Sequence, residues 1–241
     1  MNEINAIIAK VEELKKAYPT KAGAKVKGVL LNINTKGNMK LINKENEVFY
    51  IWNIPAIMTC PYATEHCKAS CYAMKAERIY PSVKVSRLAN FEASKSDNFV
   101  ANMIYTILKE SEKTPDKKIV FRIHESGDFY NLEYAKKWLL ISKYFEVTKA
   151  RNVVFMAYTK SVCYFLGLER PSNMVLRFSV WDDTKPEQIE IASILGLPVY
   201  TAVAKGYDFV ANNVVKCDCK DCMTCSKCWD ASNEVIACTI H

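Results

Sequence analysis

Glycine and proline are scarce: the 241-residue chain holds seven of one and eight of the other. No stretch is Gly/Ser-rich, Pro-rich or repetitive, so nothing marks a linker, and the chain reads as one domain over residues 1–241. Long apolar runs are absent too. The first residues give nothing longer than Ala6 to Ala9, whereas a signal peptide needs an apolar stretch of about 7–15 residues and a membrane span about 20. The expectation is therefore no membrane partner and a cytoplasmic location, where thiols stay reduced. Disulfides are then the wrong explanation for the ten cysteines that are present.

The hydrophobic fraction of 50% and charged fraction of 24% are those of an ordinary globular chain with a substantial core. A formal charge of +7 suggests mild attraction to anions. Nucleic acid is weakly supported as a partner, because the densest lysines (Lys15, Lys16, Lys21, Lys25, Lys27) are not interleaved with aromatics as a strand-binding groove requires. A small-molecule substrate is the preferred partner.

Residues 1–18 place Ile4, Ile7, Ile8, Val11 and Leu14 at helical spacing, which predicts an amphipathic helix. Strands follow at 26–34 and 48–54 with a turn signal at Thr35–Asn38, then helical periodicity over 84–113. Beyond it, strands at 118–124, 152–158, 174–180 and 198–204 alternate with helices at 132–145, 161–168 and 185–195. Strand and helix in alternation with short connections predict an α/β fold with a parallel sheet, curled into a complete or partial (β/α) barrel.

One alternating set on these strands is polar. Arg122, His124, Ser126 and Asp128 alternate with Phe121, Ile123 and Glu125, and Arg177 and Ser179 with Leu176, Phe178 and Val180. The apolar set belongs under helices, which turns the polar set to the barrel interior, and a polar interior is costly unless its groups are paired or bind something. Chemistry in such folds sits at the C-terminal rim of the strands. The candidate catalytic residues are His124, Asp128 and Lys160, with Arg122 and Ser126 as substrate-binding residues. Asp182 and Asp183 are cap candidates for the helix after Lys185, as Asn131 is for the helix that follows it.

Nine cysteines fall into two groups: Cys60, Cys67 and Cys71, and Cys217, Cys219, Cys222, Cys225, Cys228 and Cys238. Two metal-binding loops follow, at 60–73 and 217–229. Three thiolates in one loop suit a [4Fe–4S] cluster with one open iron corner, and three successive C-x-x-C steps suit the same chemistry at the rear. The candidate ligands are Cys60, Cys67, Cys71, Cys222, Cys225 and Cys228. Zinc is the competing metal, although it usually takes two C-x-x-C pairs from separate knuckles. Spacing leaves open one shared cluster or two. Cys163, alone in a helical stretch, reads as a small buried apolar residue, His66 as a solvent-facing loop histidine, and Cys238 as either a ligand or a core residue.

The run C-P-x-A ending in C-Y-A at 60–73, S-G-D-F at 126–129, Y-T-K-S at 158–161 and C-x-x-C-x-x-C-W at 222–229 together resemble the gene product 88 family of phage proteins. The resemblance runs from about residue 26 to the end, and implies a phage or prophage origin, the host cytoplasm as location, and a cysteine-bound cluster in a barrel related to radical-SAM enzymes. It implies no defined reaction. The spacing of six and three residues between Cys60, Cys67 and Cys71 departs from C-x-x-x-C-x-x-C, and no glycine-rich segment offers a seat for S-adenosylmethionine. The expected function is thus metal-dependent hydrolysis of an ester-like substrate, with the cluster as Lewis acid at the barrel mouth. The alternatives are a radical-SAM-like enzyme and a non-catalytic module, stapled by metal, that binds nucleic acid or a host protein.

Overall fold

The computed structural model describes residues 2–19, 29–34, 45–217, 222–229 and 234–239. The elements, in chain order, are α1 (Asn2–Ala17), β1 (Glu47–Trp52), α2 (Glu65–Ala69), α3 (Tyr72–Ile79), α4 (Pro81–Lys95), α5 (Phe99–Ser111), β2 (Lys118–Ile123) and α6 (Leu132–Thr148). There follow β3 (Val153–Thr159), a 3-10 turn (Val162–Phe165), β4 (Met174–Val180), α7 (Pro186–Ile194), β5 (Val199–Val203), β6 (Val215–Lys216), α8 (Cys222–Cys225) and β7 (Ile236–Thr239).

Among the described residues seven strands form one sheet in the order β1-β2-β3-β4-β5-β7-β6, and their pairings are parallel. The first five strands stand in sequence order, each joined to the next by a crossover, as right-handed β-α-β chirality favours. Because β1 and β6 lie at opposite edges, the barrel is partial. Of the early strand expected at 26–34, residues 26–28 and the turn after Asn34 lie outside the described residues; Asn34 makes a single antiparallel bridge to Ile51.

The outer face of the sheet is the main core. Tyr50 and Trp52 of β1, Phe121 and Ile123 of β2, Phe155 and Ala157 of β3 and Leu176 and Phe178 of β4 pack against Trp138, Ile141 and Phe145 of α6 and Phe99, Met103 and Ile107 of α5. Each such side chain contributes about 1.5–3 kcal/mol by leaving water. α1 lays Ile4, Ile7, Ile8, Val11 and Leu14 on the same core, as its periodicity predicts. Asn131 caps α6, its Oδ1 accepting the Tyr134 N–H at 2.8 Å.

The inner face is different. Phe49, Ile51, Val120 and Met156 meet Cys228, Trp229 and Ile236, so the rear cysteine segment, rather than a helix layer, covers this side. The edge of the Trp229 indole meets Phe49 with centroids 5.2 Å apart.

Several local expectations shift. The helical stretch at 84–113 is two helices, because Ser96 turns extended between α4 and α5. The helix expected at 161–168 is only the 3-10 turn at 162–165. Strands β6 and β7 carry no alternation long enough to read, and β7 is fixed by pairing with β5.

Candidate metal centre and rim

The front cysteine loop leaves the end of β1 and is pinned to the loop after β2. Asn53 Oδ1 accepts the Glu125 and Ser126 N–H groups at 2.8 and 2.9 Å, and Ser126 Oγ donates to the Ile54 carbonyl at 2.9 Å. Gly127 makes this contact possible: at φ +86° a Cβ there would lie 2.4 Å from Ile54 Cγ1 and 2.6 Å from Thr59 Oγ1. Thr64 caps the short α2, accepting the Cys67 N–H. Cys71 is the residue from which α3 starts. The buried pair Arg87–Glu77, 2.9 Å apart, fixes α3 from behind, with Glu77 accepting the Ala56 N–H and Arg87 donating to the Ala73 carbonyl.

Lys160 and Asp128 stand beside these thiols. Asp128 accepts from the Phe129 N–H (2.7 Å), Thr159 Oγ1 (2.6 Å) and the Lys160 N–H (2.9 Å), so it stitches the rim of β2 to that of β3. Burial pushes its carboxyl upward against those bonds. The Lys160 ammonium donates to the Ser179 carbonyl at 2.6 Å. Burial lowers its pKa, opposed by Cys67, Asp128, Asp183 and Cys60. Burial also pushes the Cys60 thiol up, helped by Asp128, and raises Cys67 against the pull of Lys160. A buried cation thus sits among the front thiols at the C-terminal rim.

The rear cysteines lie on the inner face. Arg177 of β4 is fully buried, and it donates from Nε to the Cys228 carbonyl (3.1 Å), from Nη1 to Glu234 (3.1 Å) and from Nη2 to Lys227 (2.5 Å), which ties the segment to the sheet. Cys217 follows β6 and donates its N–H to the Ala237 carbonyl at 2.7 Å. Burial raises the Cys228 thiol, with Cys217 and Cys225 adding to the shift and Tyr158 and Arg177 opposing it. The Tyr158 phenol is pushed well up by burial and by Cys228, to which it hydrogen-bonds, and Cys222 adds to the shift. Tyr200 packs on Tyr158 with ring centroids 4.7 Å apart and meets the Cys238 thiol, which therefore faces this cluster. Cys219 and His241 lie outside the described residues. Cys60, Cys67, Cys71, Cys163, Cys225, Cys228 and Cys238 are free cysteines.

Arg122 stands between the two groups. Its guanidinium carbon lies 5.3 Å from the Tyr158 ring centroid, Nη2 lies 3.5 Å from the hydroxyl of Tyr72, the residue after Cys71, and Cys222 acts on its charge from the rear side. The expectation that Arg122 faces the interior agrees with this position. Ser126, expected to meet substrate, is 2% exposed and spends its hydroxyl on Ile54, so its place is structural.

His124 requires a correction. The alternation puts it with Arg122 on the inner face, but β2 ends at Ile123 and His124 takes φ 65°, which reverses the side chain. The imidazole lies instead in the outer core, against Phe129, Tyr134 and Trp138, with Nε2 2.9 Å from the Tyr134 hydroxyl. Burial, with Arg122 behind it, lowers its pKa to about 3. It is a neutral core histidine packed in the outer layer.

His66 is exposed, as expected, and is held by the aspartates read as caps of α7. Asp182 Oδ1 meets its Nδ1 at 2.7 Å and Asp183 Oδ2 accepts its N–H at 2.9 Å. The Asp182 hydrogen bond raises the imidazole pKa. Cys163 is half-buried in the 3-10 turn with its thiol against the Tyr62 hydroxyl, so it is not a plain apolar filler. The residues that sequence reasoning left out of the site are Arg177, Tyr158, Tyr72 and Asn53. Arg177 was visible as a charge on an otherwise apolar strand, and Tyr72 and Tyr158 lie inside the motifs; Asn53 gave no signal.

The family described as Gene product 88 matches residues 29–231. Two curated proteins are similar, each over 145 residues: the Gene 88 protein of Mycobacterium phage D29, 29% identical, and that of Mycobacterium phage L5, 28% identical. Each match covers 57% of this chain and 56% of the relative, so the chain spans about half the length of the curated relatives it matches. No solved structure matches the chain.

Proposed function

The chain belongs to the gene product 88 family, and on that footing we propose that it is a phage-type iron–sulfur protein that hydrolyses a small ester-like substrate at the mouth of its half barrel. The observation that carries this reading is three free thiols in one loop that is pinned to the loop after β2, the same loop whose Asp128 holds the buried Lys160 at the rim of β3. Cys60, Cys67 and Cys71 are soft donors of the kind an iron–sulfur cluster takes, and three of them leave one iron corner for another ligand. Bound there, the cluster supplies Lewis acidity to a substrate oxygen.

The chain's own residues divide the remaining work. Lys160 offers its ammonium to the negative charge that develops on an ester carbonyl or phosphoryl oxygen. Asp128 is a positioning residue, because its oxygens are engaged by Phe129, Thr159 and Lys160 backbone or hydroxyl donors and so fix where the lysine leaves β3. Cys222, Cys225 and Cys228 would hold a second metal in the rear segment. Four thiols are also the set a structural zinc takes, but among the described residues no three of these sulfurs lie within 4.8 Å of one another, so zinc stands only as the outcome that would overturn the reading.

Purification without oxygen, a visible spectrum and a count of iron, sulfide and zinc per chain test the reading. A broad absorption near about 400 nm with roughly four iron and four sulfide per cluster is expected. Colourless protein holding only zinc would overturn it. In iron-loaded protein, Lys160→Ala should abolish ester hydrolysis while iron is retained; hydrolysis that survives the substitution removes the lysine from the reaction.

A further inference from the structure

Among the described residues, most buried cations are well provided with acceptors. Arg177 gives three hydrogen bonds to carbonyls, Arg87 is paired with Glu77 and the Ala73 carbonyl although its Nε has no partner, and Lys160 donates to Ser179. Arg122, whose side chain is 17% exposed, has Nη1 4.0 Å from Glu125 Oε1 and Nη2 3.5 Å from the Tyr72 hydroxyl, while its Nε is buried with no hydrogen-bond partner. The Tyr72 hydroxyl already donates to the Glu125 carbonyl at 2.6 Å, so it meets the guanidinium only as an acceptor. A guanidinium carries five N–H donors, and buried donors in folded proteins are normally satisfied. This one lies with its central carbon 5.3 Å from the Tyr158 ring centroid, and among the described residues its one side-chain hydrogen bond is the 3.5 Å contact to the Tyr72 hydroxyl.

Its position gives the unmet donors a use. Arg122 pairs with Ile51 and Met156 near the C-terminal end of β2, on the sheet's inner face. Tyr72, from the front cysteine loop, meets it, and Cys222, from the rear segment, packs in the same inner-face cluster as Ile51, Met156 and Tyr158. We propose that Arg122 is the seat of an oxyanion carried by the substrate, a carboxylate or a phosphate, bound through the guanidinium fork between the two cysteine groups. A planar pair of oxygens matches that fork in a way that a lone ammonium does not. The proposal rests on the reading of the half-barrel mouth as the site of ester hydrolysis, toward which the C-terminal end of β2 carries Arg122, and narrows the substrate to a small ester that also bears an anionic group.

The test measures melting temperature of anaerobically purified protein against rising inorganic phosphate and, separately, sodium acetate, at ionic strength held constant with sodium chloride. Metal content is recorded for every sample. A saturable rise is expected, with apparent affinity about tenfold or more weaker in Arg122→Gln. Arg122→Lys, which keeps a charge over Tyr158, should fall between the two. The anion that half-saturates at the lower concentration identifies a phosphate or a carboxylate substrate. Three results overturn the seat: no saturable response to either anion, the same affinity in Arg122→Gln, or loss of bound metal in that variant, which would assign the guanidinium to balancing thiolate charge. Metal-free protein that still binds through Arg122 would retain the seat and remove the cluster reading. Iron-loaded protein without Arg122-dependent binding would remove the seat alone.

Discussion

Acid should weaken this fold through one imidazole. His124 is 3% exposed among aromatic rings, and its pKa falls from 6.5 to about 3, first through burial and then through the Arg122 charge. The folded state therefore refuses a proton that the unfolded chain accepts near its ordinary value. The contribution is fully present above about pH 6.5 and is lost as pH falls toward 3. At roughly 1.4 kcal/mol per pH unit, with the first half-unit below pH 7 costing little, the loss between pH 7 and pH 5 is about 2 kcal/mol. The control is His124→Asn, since asparagine tolerates the left-handed backbone at φ 65° and carries no titrating group in this range. Urea unfolding followed by tryptophan fluorescence, at pH 7 and pH 5 in both proteins, isolates the effect, because carboxylates elsewhere cancel in the difference. The variant should be less stable at pH 7, through lost packing and the lost Tyr134 bond, and the gap should close by about 2 kcal/mol at pH 5. A gap that stays constant between the two pH values would show that His124 does not gain its low pKa from the core, and the argument would fail.

Gly127→Ala should destabilise by about 2–4 kcal/mol through strain and overlap with Ile54 and Thr59. Gly206→Ala, at φ +87° with nothing within 4 Å of its Cβ, should cost only about 1–2 kcal/mol, so equal urea midpoints for the two variants would contradict the contact. Arg177→Met strands the carbonyls of Lys227, Cys228 and Glu234, and should cost about 3–5 kcal/mol and open the rear segment to hydrogen exchange. Unchanged protection at Ala237 and Cys238 would show that β7 holds itself. Cys67→Ala and Cys71→Ala should lose front-site iron, whereas Cys163→Ala, whose thiol faces Tyr62, should keep it; equal iron in all three would remove the front site.

Strand β4 was legible from end to end, because Leu176 and Phe178 need helices and Arg177 and Ser179 do not. The same alternation failed at His124, one residue beyond the end of β2. It carries no information about φ, and a single left-handed residue at His124 sends the side chain to the opposite layer. The cysteine groups were legible because their thiols lie close in sequence. Arg177 was not, since its acceptors lie about fifty residues downstream and are backbone carbonyls, which carry no side-chain signature. The break at Ser96 was hidden because the residues on either side keep helical spacing.

The order of the sheet also fixes an order of assembly. A ribosome delivers β1 to β5 in the sequence in which they stand side by side, so each new strand meets an edge already formed. The last arrival breaks that sequence: β7 must pair with β5, and β6, made earlier, can join the sheet only through β7. If strands dock as they are made, the front thiols would be positioned while synthesis is under way, and the rear thiols, strung between β6 and β7, would wait until β7 docks. A nascent chain arrested after β5 would have its first cysteine loop in place and its second not yet made, so any metal it took up would enter the front group first.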